Sequence, residues 1–183
     1  MQTFFGVAEV CLLLARSAPY PASRTLRLLL VFHGGDPNAL KLTRLHVLAG
    51  AMMILGGLMR LSTYKSLGKF FTFQVGIQKD HRLIKSGLYS VVRHPSYSAM
   101  LLTQPGAILW NAAPGSWVQE CGLLNTKLGA LICSVAAFWL AASVYFIPIS
   151  RMQREDNVLK EKFGQEWEEW AKQVPYKLIP FIY

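Results

Sequence analysis

Charge is what this sequence has least of. Only 16% of its 183 residues are Asp, Glu, Lys or Arg, against about 25% in an ordinary soluble domain. Acid is scarcer still, with ten carboxylates against nineteen Lys and Arg and a formal net charge of +9. Apolar residues fill the space, at 52% of the chain and a mean hydropathy of +0.29. The balance points to a polytopic, all-α integral membrane protein, and the length to one domain over 1–183. A basic balance also suits nucleic acid, but here the cations lie between apolar segments, as they do in loops facing an anionic leaflet. The partner implied is the lipid bilayer, not nucleic acid.

Cysteine is sparse as well. Cys11, Cys121 and Cys133 are odd in number and irregular in spacing. They make neither a disulfide framework nor a paired metal-ligand motif, so they are read as small core residues and no metal is expected. Gly-x-Gly-x-x-Gly, phosphate-cradling loops and Ser–His–Asp arrangements are absent, which removes support for a soluble-type nucleotide fold. No internal repeat or low-complexity tract occurs. The apolar N-terminal run, Phe4 to Ala15, is interrupted by Glu9 and has no Lys or Arg before it. That reads as a short first membrane helix rather than a cleaved signal.

Three further apolar runs follow. Residues 45–61 have one side made small by Gly50, Gly56 and Gly57. Residues 95–112 contain Pro105, which implies a kink that neighbouring helices can satisfy. Residues 127–149 carry a four-residue stripe of Gly129, Cys133, Ala137 and Ala141 that lets another helix approach, and Pro148 is expected to end this span. Residues 111–126 read as a polar loop. Residues 62–94 are polar and basic, with Phe70, Phe71 and Phe73 packing toward the membrane face. Charge then places 60–94 and 150–183 together on the cytosolic side of a 95–112/127–149 hairpin. The segment 16–44, with five Lys and Arg, runs against that rule. It implies either a further short embedded helix near Leu26–Phe32 or a misplaced first span.

The most informative run is Ser-Gly-Leu-Tyr-Ser-Val-Val-Arg-His-Pro-Ser-Tyr-Ser at 86–98. Proline suits the first turn of a helix and biases the residue before it away from helical angles. The helix should therefore begin at Pro95, with Arg93 and His94 at its N-terminus, where free N–H groups and the dipole favour an anion. A second group lies past the last span: Arg151 and Glu155, four apart on one helical face, with Asp156 beside them. Ionisable groups at a membrane site are functional candidates. Arg154 is read as a positive-inside anchor, and His46 and His81 as structural. Farther on, Leu159, Phe163, Trp167, Trp170 or Ala171, and Val174 keep helical period, so an amphipathic C-terminal helix is expected on the membrane surface or capping the bundle. The extended, apolar Val174–Pro180 stretch suits a lid.

Gly87-Leu88-Tyr89 with Val92-Arg93-His94-Pro95-Ser96-Tyr97 resembles the Gly-x-Tyr…Arg-His-Pro-x-Tyr motif of the isoprenylcysteine carboxyl methyltransferases. Arg151, Glu155, Asp156, Leu159, Phe163-Gly164, Trp167 and the Pro-Tyr-Lys-Leu-Ile-Pro ending are similar to that family's C-terminal motif. The resemblance covers 76–183, which it marks as the catalytic core, and leaves 1–61 as N-terminal spans. Two positions depart from the pattern: the family's Glu-Glu pair is Glu155-Asp156 here, and Ser98-Ala99 follows Tyr97 where a small residue and Gly are common.

The resemblance implies methyl transfer from S-adenosyl-L-methionine to the C-terminal carboxylate of prenylcysteine. The acceptors would be CaaX-type proteins or small prenylcysteines at the endoplasmic reticulum membrane, with the site facing the cytosol. Tyr89, Arg93, His94, Pro95, Tyr97, Glu155 and Asp156 are then the cofactor-binding candidates, and Arg151 and Glu155 the catalytic ones. Its carboxylate would sit at the helix start, Glu155 near its cationic end, and Arg151 on the acceptor carboxylate. The broader group also includes phospholipid N-methyltransferases and, more distantly, membrane sterol reductases using a nicotinamide cofactor. A non-catalytic lipid-binding protein is a further alternative.

Overall fold

The computed structural model describes residues 2–17, 19–70 and 82–182. Among them every regular element is helical: α1 (Gln2–Ala15), α2 (Ala22–Leu30), α3 (Arg44–Leu67), α4 (Pro95–Ala112), α5 (Trp117–Glu120), α6 (Lys127–Phe163) and α7 (Gln165–Gln173), joined in places by short 3-10 turns. The expectations placed on Phe71, Phe73 and His81 lie outside the described residues.

Among the described residues two helices are long and apolar enough to cross a membrane, Arg44–Phe70 and Lys127–Phe163. Of the other two expected spans, α1 is a shorter apolar helix, and α4, with 18 residues, is near the lower limit of about 17 for a span. The long helices leave their apolar faces uncovered. Leu131, Phe138 and Trp139 on α6 are 60%, 72% and 70% exposed. Such a surface is costly in water, at roughly 25 cal/mol per Å², and is at home in hydrocarbon.

Pro148 does not end its span, as the sequence suggested. It lies inside α6, which continues to Phe163. Its ring is fully buried, and Ser150 Oγ donates to the Phe146 carbonyl at 2.9 Å. A membrane helix tolerates proline where packing against its neighbours compensates for the missing bond. The continuation carries Arg151, Glu155 and Asp156 on the same rod as the span.

The chain divides into two compact units, residues 1–52 with 104–141 and residues 53–103 with 142–183. In the first, Phe5, Ala8 and Leu12 of α1 pack with Leu40, Trp117, Val118, Cys121 and Leu123. The expected polar loop 111–126 is thus partly core. Ser116 caps α5 by accepting from the Gln119 amide, and Trp117 follows it into the interior, its indole N–H donating to the Leu30 carbonyl at 2.9 Å. Glu9, buried on α1, accepts from the Trp110 indole and the Trp117 amide at 3.4 and 3.3 Å. Helix α2 is the short helix anticipated near 26–32, begun four residues earlier and ended at Leu30. Gly35 is required by crowding: a Cβ there would stand 2.3 Å from the Cys121 carbonyl carbon. Burial pushes the Cys121 thiol up to about 11, which suits an inert core residue.

In the second unit α3 crosses α4 closely at Gly56, where a Cβ would meet the Ala99 carbonyl oxygen at 2.7 Å. The expected continuous amphipathic helix over 159–174 is two helices, broken at Gly164 with φ +52°. The apolar stripe survives the break because Phe163 and Trp167 stay in one cluster with Trp170, Val174, Leu159, Leu83 and Tyr89. Beyond Val174 the chain bends back on the start of α4. The Arg93 and His94 amides donate to the Tyr176 and Lys177 carbonyls, each at 2.9 Å, and Ser98 Oγ donates to the Leu178 carbonyl.

Candidate active site

Helix α4 begins at Pro95, as the residue pattern required. The carbonyl of His94 accepts from the Tyr97 and Ser98 amides at 3.0 and 3.2 Å. The His94 ring turns inward against α6. Successive helical residues point about 100° apart, and the imidazole bridges that gap: Nε2 is 3.0 Å from Asp156 Oδ1, and Nδ1 is 3.5 Å from Glu155 Oε2. Both ring nitrogens thus face carboxylates.

Arg93 closes the buried side. Its Nη1 is 3.5 Å from Asp156 Oδ2, its Nη2 donates to the Pro175 carbonyl at 3.2 Å, and its guanidinium lies 5.7 Å over the Trp167 ring. On the more open side, Tyr97 Oη donates to Glu155 Oε1 at 2.7 Å. Arg151 Nη2 stands 3.7 Å from the same oxygen, a loose single contact rather than a fork. The side chains of Asp156 and His94 are 7% and 5% exposed, those of Glu155 and Arg151 27% and 38%. The site is therefore layered, with a buried Arg93–Asp156–His94 chain behind an accessible Glu155–Arg151 pair.

The electrostatics follow from that layering. Burial pulls the His94 imidazole toward neutrality. Hydrogen bonds and charges from Asp156 and Glu155 outweigh it, so its pKa lies above the ordinary value. The Tyr89 hydroxyl is pushed well up, by burial first and then by the Glu155 charge, and remains a neutral donor.

Of the residues named from sequence, Arg93, His94, Tyr97, Arg151, Glu155 and Asp156 form one connected network. Tyr89 stands close enough to feel Glu155, and its carbonyl accepts from the Trp170 indole at 3.2 Å. Pro95 is fully buried and shapes the turn without a donor. The anion cup of open amides is largely closed in this conformation, because the tail occupies those of Arg93 and His94. Sequence reasoning did not anticipate Trp167 beneath Arg93 or this backbone pairing of the tail. Its signal was the extended Val174–Pro180 stretch, whose carbonyls need donors.

An all-helical protein with two helices long and apolar enough to cross a membrane, and an ionic cluster at a helix start, is the class that the described residues define. Residues 48–114 match the isoprenylcysteine carboxyl methyltransferase (ICMT) family. The chain is 29% identical over 133 residues to protein-S-isoprenylcysteine O-methyltransferase B of Arabidopsis thaliana, covering 72% of this chain and 57% of that protein. It is 32% identical over 133 residues to a probable protein-S-isoprenylcysteine O-methyltransferase of Oryza sativa subsp. indica, covering 72% and 59%. A Delta(14)-sterol reductase TM7SF2 of Mus musculus is 29% identical over 104 residues, 56% of this chain but 20% of that protein. The chain is thus similar to the isoprenylcysteine carboxyl methyltransferase family over residues 48–114 and to its plant members over 133 residues. It spans less than three fifths of the length of these plant relatives. The family match begins at residue 48 and so takes in α3, which lies upstream of the motifs read from the sequence.

Proposed function

We propose that this chain transfers a methyl group from S-adenosyl-L-methionine to the C-terminal carboxylate of prenylcysteine, on proteins of CaaX type or on small prenylcysteines. The observation that carries the reading is the pairing of an accessible Glu155 and Arg151 in front of a buried Asp156–His94–Arg93 chain, in a chain similar to this family. The proposed seat is the endoplasmic reticulum membrane, with the site toward the cytosol. In support, the Tyr176 and Lys177 carbonyls bond the Arg93 and His94 amides, as is needed if the 60–94 segment and the tail share one side.

The donor set fits the cofactor. Its ammonium and sulfonium ends call for an accessible carboxylate, and Glu155 is one; its carboxylate calls for cationic or N–H partners at the start of α4, near Arg93 and His94. Tyr89, Tyr97 and Asp156 complete the proposed lining. When bound, S-adenosyl-L-methionine supplies an electrophilic methyl group on sulfur.

The chain's own residues do the rest. A carboxylate acceptor is ionised at neutral pH, so no residue needs to act as its base. Arg151 holds it by charge-assisted hydrogen bonds. A contact that bound the ground state more tightly than the transition state would slow transfer, so positioning and exclusion of water are the work proposed here. The tail 174–180 covers the start of α4 and acts as the lid, moving aside for the cofactor.

Calorimetry with S-adenosyl-L-methionine and purified full chain tests the cofactor. Saturable binding is expected, and a folded protein that binds none overturns the enzyme reading. A lipid N-methyltransferase would need a base beside a protonated amine rather than Arg151. A sterol-type reductase would bind a nicotinamide dinucleotide instead.

A further inference from the structure

Helices α3 and α4 run antiparallel in the second unit. Gly56 lies against Ala99 and Thr103, while Ser66, farther along α3, lies against Gly87, before α4 begins. Arg60, one turn beyond Gly56, therefore comes to the level of Tyr97. Its charge is felt at the Tyr97 hydroxyl together with that of Arg151. Guanidiniums from α3 and α6 thus both act on the Tyr97 hydroxyl.

Arg60 is half-buried near the end of an apolar span, and no carboxylate pairs with it among the described residues. Its polar partner is the Tyr64 hydroxyl, which its Nε contacts, with the guanidinium 5.6 Å from that ring's centre. An arginine so placed, without an acid, is costly unless something anionic visits it. The local charges agree. Arg93 and Arg151 balance Glu155 and Asp156, and Arg60 is a cation in surplus. A further carboxylate entering beside Glu155 would meet like charge, which the second guanidinium offsets.

We propose that Arg60 is a second acceptor-binding residue, which together with Arg151 clamps the carboxylate of the prenylcysteine on either side of the Tyr97 hydroxyl. The inference rests on the acceptor reading above and deepens it by assigning carboxylate specificity to α3. A bilayer-end anchor is the competing role. It needs only a charge near headgroups and is indifferent to the acceptor.

The test compares binding of farnesylcysteine and of its carboxamide to the full chain in nanodiscs. Wild type should prefer the carboxylate. Arg60→Gln should weaken carboxylate binding by roughly ten- to a hundredfold, leave carboxamide binding unchanged, and leave cofactor affinity intact. Arg60→Lys should recover part of the preference, since a point charge lacks the planar fork. A second measurement needs no variant: an arginine-selective dicarbonyl reagent should modify Arg60 in wild type more slowly with farnesylcysteine than with the carboxamide. An Arg60→Gln protein that keeps the full preference, or Arg60 modification unaffected by the carboxylate ligand, overturns the proposal alone. A wild type that shows no preference overturns the acceptor reading, and the proposal with it.

Discussion

His94 Nε2 stands 3.0 Å from Asp156 Oδ1, both side chains buried, and this contact joins the first turn of α4 to the cytosol-proposed extension of α6. It fixes the ring so that Nδ1 faces Glu155. Asp156 thereby acts through His94 on the accessible carboxylate, and the pair is the internal prop of the site.

The first expected outcome concerns pH. The folded pKa of His94 is raised, so the stability it contributes is fully present below the unfolded value, about 6.5. That stability is lost as pH rises through the folded value. Thermal unfolding of wild type and Asp156→Asn in detergent should differ most near pH 6 and less toward pH 9, where the Arg93–Asp156 pair alone remains. A difference that grows with pH contradicts a charged His94.

Arg151→Ala and Glu155→Ala should fail differently. The first should slow transfer by roughly 30- to 1000-fold, about 2–4 kcal/mol of transition-state binding, while cofactor affinity survives. The second should weaken cofactor affinity. Equal loss of cofactor binding in both, by calorimetry, would reduce the pair to a structural ion pair. Tyr97→Phe removes the 2.7 Å donation to Glu155 and should behave as a weaker Glu155→Ala, losing about 1.5–3 kcal/mol.

The two motifs were legible because each rests on a local rule. Pro95 announces a helix start, and the spacing of Arg151 and Glu155 places them on one face. The same local reasoning misled at Pro148, whose ring is buried within a helix that continues. It also missed the break at Gly164, because the apolar period runs on from Phe163 to Trp167. Trp117 was hidden within a stretch of polar and turn residues whose packing depends on α1, far away in sequence. Arg60 looked like a border cation, since its setting opposite Tyr97 comes from how α3 and α4 pair.

Trp170→Ala should loosen the tail. Trp170 is 3% exposed, and its indole donates to Tyr89. Truncating a buried tryptophan costs about 3–5 kcal/mol. Limited proteolysis should cut after Lys172 or Lys177 faster in the variant than in wild type. Unchanged cleavage would mean that the tail is held by its hydrogen bonds to Arg93, His94 and Ser98.

Orientation is checked by single cysteines at Lys85 and Lys172, with Cys11, Cys121 and Cys133 replaced. Both should label from the cytosolic face of sealed vesicles. Labelling from opposite faces contradicts the proposed topology.

The most direct measurement is transfer of labelled methyl from S-adenosyl-L-methionine by the purified full chain, offered farnesylcysteine and phosphatidylethanolamine side by side. The account predicts label on farnesylcysteine that mild base releases as methanol, because a methyl ester is formed. Base-stable label on phosphatidylethanolamine with none on farnesylcysteine, or no transfer to either from protein that binds the cofactor, would contradict it.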